Sequence, residues 1–211
     1  APSNVCAGNT FSLPSVTDYS ASGFTTQYSI DAGGYSATPT IPTTAGCHTI
    51  AARYSLNSAC GNTTAGTGNC VSNTVSVVTF PTAPSITATA NTCSGTAFSM
   101  PTVTAVSGFS VQYSIDGGAF AASPSTTAVG CHNVRARYVL ANTCGTNAVG
   151  TTPPAGCDVS NTVYTTIFPS APSLTAPTNV CEGTAFTLPS VTAVSGFDVE
   201  YSVDGLVYST S

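Results

Sequence analysis

The chain of 211 residues is only 5% charged, carries a net charge of −5, and has three basic residues, Arg53, Arg135 and Arg137, with no lysine. Three scattered arginines cannot neutralise a run of phosphates, so nucleic acid is excluded as an expected partner. A disordered chain would be charge-rich and poor in aromatic and β-branched residues, whereas this one holds nine Tyr, nine Phe and abundant Val and Thr.

The segment Ala1–Thr10 has neither a basic n-region nor an apolar h-region, and no stretch nears the ~18 apolar residues that cross a bilayer. The segment is therefore expected to be mature and soluble, with no membrane insertion. Nine cysteines without a CxxC pair point to an oxidising compartment, where thiols become cross-links.

Internal repetition is the strongest signal. Cys6, Cys93 and Cys181, spaced 87 and 88 residues apart, each open the same passage, of which GTAFSMPTVTAVSGFSVQYSIDGG is the second version. The first version has a two-residue insertion near Asp18, and the third runs to Ser211 without its second half. A period near 88 residues suits one small domain per repeat, not a solenoid. The expected domains are 1–83 (repeat 1, opening strand incomplete), 84–171 (repeat 2) and 172–211 (first half of a truncated repeat 3), an excerpt of a longer array.

In chain order, each passage predicts a similar set of elements. Phe109, Val111, Tyr113 and Ile115 alternate with polar residues, as do Phe197, Val199, Tyr201 and Val203, which is the period of a half-buried strand. Asp116-Gly117-Gly118 and Asp204-Gly205 then supply the positive φ angles of a tight hairpin turn. GCHTIAARYSL and GCHNVRARYVL alternate as a central strand, with His132, Val134, Ala136, Tyr138 and Leu140 on one face. A cysteine-bounded Gly/Thr-rich loop follows, then a last strand over 71–80 or 159–168.

The linkers Phe80–Pro84 and Phe168–Pro172 are short and proline-stiffened. Opening strands are expected at 85–90 and 173–176. Short strands, turn signals and no helical period predict an all-β fold of tandem immunoglobulin-like sandwiches arranged as an extended rod.

Each full passage has four cysteines: Cys6, Cys47, Cys60 and Cys70, then Cys93, Cys131, Cys144 and Cys157; Cys181 is unpaired in this excerpt. Four cysteines allow three pairings. The favoured set staples each loop to itself, Cys60–Cys70 and Cys144–Cys157, because the two loops differ in length yet keep cysteines at both ends. It leaves Cys6–Cys47 and Cys93–Cys131. Such bridges contribute roughly 2–4 kcal/mol each to a domain with a modest core. Zinc at Cys47-His48 or Cys131-His132 is disfavoured, since neighbours on a strand point to opposite faces.

Arg53 and Arg137 are expected to pair across strands with Gln27 and Gln112, where the third passage has Glu200. His48 and His132 fall in phase with apolar residues, as core-edge histidines bonded to backbone. No GxSxG elbow marks a serine nucleophile. The scattered acids suit no calcium cage, and Asp31, Asp116 and Asp204 are explained by turn chemistry. Lys–Asn isopeptide bonds require a lysine that is absent, and Asn62-Thr63-Thr64 is the one N-glycosylation sequon. No catalytic, cofactor or metal site is expected.

GCHTIAARY, GCHNVRARY, the VSNTV strand and the FPxAPS linkers resemble the cysteine-bearing immunoglobulin-like repeats of giant cell-surface adhesin and filament proteins of Bacteroidetes-type bacteria. That resemblance covers the whole chain and implies an exported adhesin or filament serving attachment or gliding. The Asp-Ser/Thr O-glycosylation motif of such bacteria does not occur in it. The expected function is a structural segment giving an extracellular, cell-surface stalk its length and stiffness. Expected partners are neighbouring repeats, other fibres or surface glycans. The alternative is an adhesive module that grips a glycan or partner through loops 60–70 and 144–157.

Overall fold

The computed structural model describes residues 2–57, 67–145 and 152–210. The fold is all-β with almost no helix, and its sheets curl into half-barrels. The first sheet contains β1 (Val5–Cys6), β2 (Phe24–Ile30), β3 (Gly46–Leu56), β4 (Thr67–Val71) and β5 (Val75–Phe80). Its order is β1-β5-β3-β2, with β4 also pairing with β3. The second sheet contains β6 (Thr92–Cys93), β7 (Phe109–Ile115), β8 (Gly130–Leu140) and β9 (Val163–Phe168), in the order β6-β9-β8-β7. A short pair, β10 (Glu200–Tyr201) and β11 (Ser209–Thr210), follows.

The alternating segments form strands as their period requires. β2 pairs antiparallel with β3 from Phe24↔Leu56 to Ile30↔Ile50, and β7 pairs with β8 from Phe109↔Leu140 to Ile115↔Val134. β1 and β6 run parallel to β5 and β9, setting Cys6 beside Phe80 and Cys93 beside Phe168. The turn after β7 has Asp116 at φ 52° and Gly117 at φ 73°, and the Gly118 N–H donates to the Ile115 carbonyl at 2.9 Å. Two consecutive positive φ angles are what Asp-Gly tolerates best.

Three expected strands are corrected. Residues 85–90 and 173–176 are not strands. Asn161 occupies the Ile86 backbone instead, its Oδ1 accepting the N–H at 2.9 Å and its Nδ2 donating to the C=O at 2.8 Å. The strand expected over 197–203 shrinks to Glu200–Tyr201, which pairs with β11 over two residues, whereas β2 and β7 are held along seven. The last strands also start later, at Val75 and Val163. In the stretch before β9, the Ser160 hydroxyl substitutes for a ladder partner by accepting the Ala136 N–H at 2.8 Å.

The chain divides into two compact units, one of residues 1–88, 100–124 and 133–163, the other of 89–99, 125–132 and 164–211. In the first, Phe11, Ile50 and Val77 are fully buried and packed by Leu13, Tyr28, Ile30 and Ile41. Each such side chain contributes about 1.5–3 kcal/mol by leaving water. A second cluster lies on the other face of β5, where Val78 and Phe80 pack with Cys144 and Cys157 against Phe109 and Leu140. β5 is therefore covered on both faces. In the second unit, Phe98 and Ile167 are buried, and the His132 ring lies 6.0 Å from Phe98.

A tyrosine hydroxyl ties the start of each passage to its strand. Tyr28 donates to the Pro14 carbonyl, Tyr113 to Pro101 and Tyr201 to Pro189, at 2.9, 2.7 and 2.8 Å. Burial pushes the Tyr113 phenol above its ordinary pKa. The extra two residues of the first passage are absorbed in a 3-10 turn at Ser20–Ser22, where Asp18 Oδ1 accepts the Ser20 N–H at 2.8 Å.

Candidate functional site

The alternation of β3 separates Cys47 from His48. His48 faces the core, 6% exposed, stacked 5.8 Å from Phe11. Cys47 faces the opposite way, beside Val78 of β5. On the far edge of β5, Cys6 is paired with Phe80. One face of the sheet thus presents Cys6, Phe80, Val78 and Cys47 across three adjacent strands.

Cys144 and Cys157 of the second passage close over this face. Cys6 bonds to Cys157 and Cys47 to Cys144, with Cα separations of 5.8 and 5.6 Å. Cys144 and Cys157 are 3% and 1% exposed. The loop crosses β5 so closely that a Cβ on Gly145, which sits at φ +70°, would fall 2.0 Å from the Ser76 hydroxyl oxygen. Only glycine fits there, on grounds of both space and backbone conformation.

The expected pairings Cys6–Cys47 and Cys144–Cys157 are therefore corrected, and the sheet supplies the reason. β1 and β3 flank β5 on opposite sides. With neighbouring strands about 4.8 Å apart, Cys6 and Cys47 are separated by roughly 9–10 Å, beyond the ~4.4–6.8 Å that a disulfide spans between Cα atoms. The loop is stapled at both ends, as its variable length suggested, but to the preceding passage and not to itself.

The expected Cys93–Cys131 bridge fails on the same ground, since β6 and β8 flank β9. Cys93, Cys131, Cys70 and Cys181 are exposed thiols. The other half of the expected Cys60–Cys70 bridge, Cys60, lies outside the described residues, as does the Asn62-Thr63-Thr64 sequon.

The remaining candidates fall into structural roles. Gln27 is the cross-strand partner of Arg53, accepting from Nε at 3.0 Å, and Gln112 accepts from Arg137 Nε and Nη2 at 3.2 and 2.9 Å. Each guanidinium also lies over a ring, Arg53 4.1 Å from the Tyr35 centroid and Arg137 4.3 Å from that of Phe120. Arg135 is exposed on β8. Glu200 pairs with Thr210 on β11.

His48 contacts the Thr44 carbonyl through Nε2 at 3.2 Å and Asp31 Oδ2 through Nδ1 at 2.8 Å. His132 Nε2 lies 2.8 Å from the Ala128 carbonyl. Both are core-edge histidines bonded to backbone. Asp31, Asp116 and Asp204 take positive φ at their turns.

Two roles escaped sequence reasoning. Asp31 and Asp116 also clamp the central strand, each Oδ1 accepting a backbone N–H, from Thr49 at 2.8 Å and Asn133 at 2.9 Å. The recurrence of Asp ahead of the same strand position in both passages, eighteen residues before Thr49 and seventeen before Asn133, was the available signal. The contact of Gly145 with Ser76 had no such signal, because it joins different passages.

Among the described residues no cluster of three or more His, Cys, Asp or Glu side chains is placed to hold a metal, and no helix is long and apolar enough to cross a membrane. No protein-family model matches the chain, and no curated protein matches it.

Proposed function

We propose that the chain is a structural segment of an extracellular stalk, adhesin or filament, built of tandem immunoglobulin-like sandwiches that supply length and stiffness. The observation that carries this reading is the pair of bridges Cys6–Cys157 and Cys47–Cys144, which joins strands of one passage to the loop of the next. Bridges of this kind convert adjacent modules into a covalently braced array, and they form and persist in oxidising, extracellular settings. The order β2-β3-β5 with antiparallel pairing fits the C-F-G half of an immunoglobulin-like sandwich. Arg53, Arg137 and the two histidines already have structural partners, which favours an architectural over a catalytic role.

Antibody raised against the chain and applied to intact cells of its source is expected to decorate surface fibres along their length. Labelling that appears only after the cells are permeabilised would contradict the proposal. Selective glycan capture, lost when residues 144–157 are replaced, would reassign the segment as an adhesive module.

A further inference from the structure

The face that meets Cys144 and Cys157 in the first sheet has a counterpart in the second that is exposed among the described residues. By the repeat, Ser76, Val78 and Phe80 of β5 correspond to Tyr164, Thr166 and Phe168 of β9, while Cys6 and Cys47 correspond to Cys93 and Cys131. On β5 these three side chains are 1%, 0% and 0% exposed. On β9 the inward residues Thr165 and Ile167 are just as buried, at 2% and 0%, but Tyr164 is 62% and Phe168 45% exposed.

Even the first layer of the cover is the same. Phe109 lies 5.6 Å from Phe80, tilted by 56°, and Phe197 lies 5.6 Å from Phe168, tilted by 55°. Leu140, Cys144 and Cys157 complete the cover over Phe80. Among the described residues Phe168 stays 45% exposed, and the two flanking cysteines are exposed thiols.

We infer that the face formed by Cys93, Tyr164, Thr166, Phe168 and Cys131 is a docking site for the cysteine-flanked loop of a further copy of this passage, which seals it with two disulfides in fixed order. Cys93 takes the second cysteine of the incoming loop, as Cys6 takes Cys157. Cys131 takes the first, as Cys47 takes Cys144. The occupant is set by chemistry already present in the molecule: a Gly/Thr-rich loop beginning Cys-Gly, with a second cysteine about a dozen residues on, laid across an aromatic strand face.

Each bridge removes two electrons and two protons from a pair of thiols and reduces one disulfide of an oxidant of the glutathione class to two thiols. The inference concerns which surface couples to which loop. It goes beyond the stalk reading and holds for an array serving any purpose.

The test uses the full chain, its Cys6–Cys157 and Cys47–Cys144 bridges intact, mixed with a reduced synthetic peptide of residues 137–161 in a glutathione redox buffer. Cross-linked products are mapped by mass spectrometry after non-reducing digestion. The expected product joins Cys93 to the second cysteine of the peptide and Cys131 to the first, in at least fivefold excess over the reversed order. The variant Phe168→Asp, shown to be folded by circular dichroism, is expected to cut that yield at least fivefold, while Arg135→Ala leaves it unchanged. Equal yields of both orders, no capture, a yield indifferent to Phe168→Asp, or a Cys93–Cys131 bridge would each overturn the inference.

Discussion

At the scale of single residues, Gly145 lies against Ser76 of β5 with no room for a side chain. A methyl group there meets the Ser76 hydroxyl and is forced into φ +70°. Gly156, at φ +97° with nothing within 4 Å of its would-be Cβ, bears only the second of these burdens. Gly156→Ala is expected to cost about 1–2 kcal/mol from backbone strain alone. Gly145→Ala should cost about 1–3 kcal/mol more, since overpacking adds to the strain. Urea denaturation of the two variants measures the difference, and Gly145→Ala with Ser76→Gly should recover the excess. Equal costs for the two single variants would mean that the loop does not lie against Ser76.

At the scale of elements, the Ser-Asn-Thr centre of the VSNTV motif, residues 72–74 and 160–162, is a connector and not a strand. Ser160 accepts from Ala136, whose residue is fully buried, and donates to the Asn161 carbonyl, while Asn161 holds both backbone groups of Ile86. Ser160→Ala leaves the Ala136 N–H without this acceptor in an interior where water cannot replace it. The expected loss is about 1–3 kcal/mol by chemical denaturation. A loss below about 0.3 kcal/mol would show that this bond is not a clamp.

The long strands were legible in the sequence because period-2 alternation needs only local information, as β3 and β8 show. The tight turns were legible because Asp-Gly has few alternatives. The expected opening strand at 85–90 misled because β-rich composition says nothing about where backbone partners come from, and here a side chain 75 positions away supplies them.

At the scale of the molecule, the same limit governs the cysteines. Spacing marked eight cysteines for cross-linking, of which Cys6, Cys47, Cys144 and Cys157 are bridged while Cys70, Cys93 and Cys131 are free thiols, and the partner of each bridged cysteine depends on strand order. Two strands that flank a third cannot be joined at their facing positions, and that fact enters only once β5 is placed between β1 and β3. The bridge from Cys6 to Cys157 spans 151 residues, and the one from Cys47 to Cys144 spans 97. Each therefore unites two passages that the repeat alone presents as separate units. β5 is buried on both faces, whereas Tyr164 and Phe168 on one face of β9 are exposed.

The most direct measurement is disulfide mapping of the oxidised chain by mass spectrometry under non-reducing digestion. Peptides linking Cys6 to Cys157 and Cys47 to Cys144 are expected. Peptides linking Cys6 to Cys47 and Cys144 to Cys157 would contradict the account, because each passage would then be stapled only to itself.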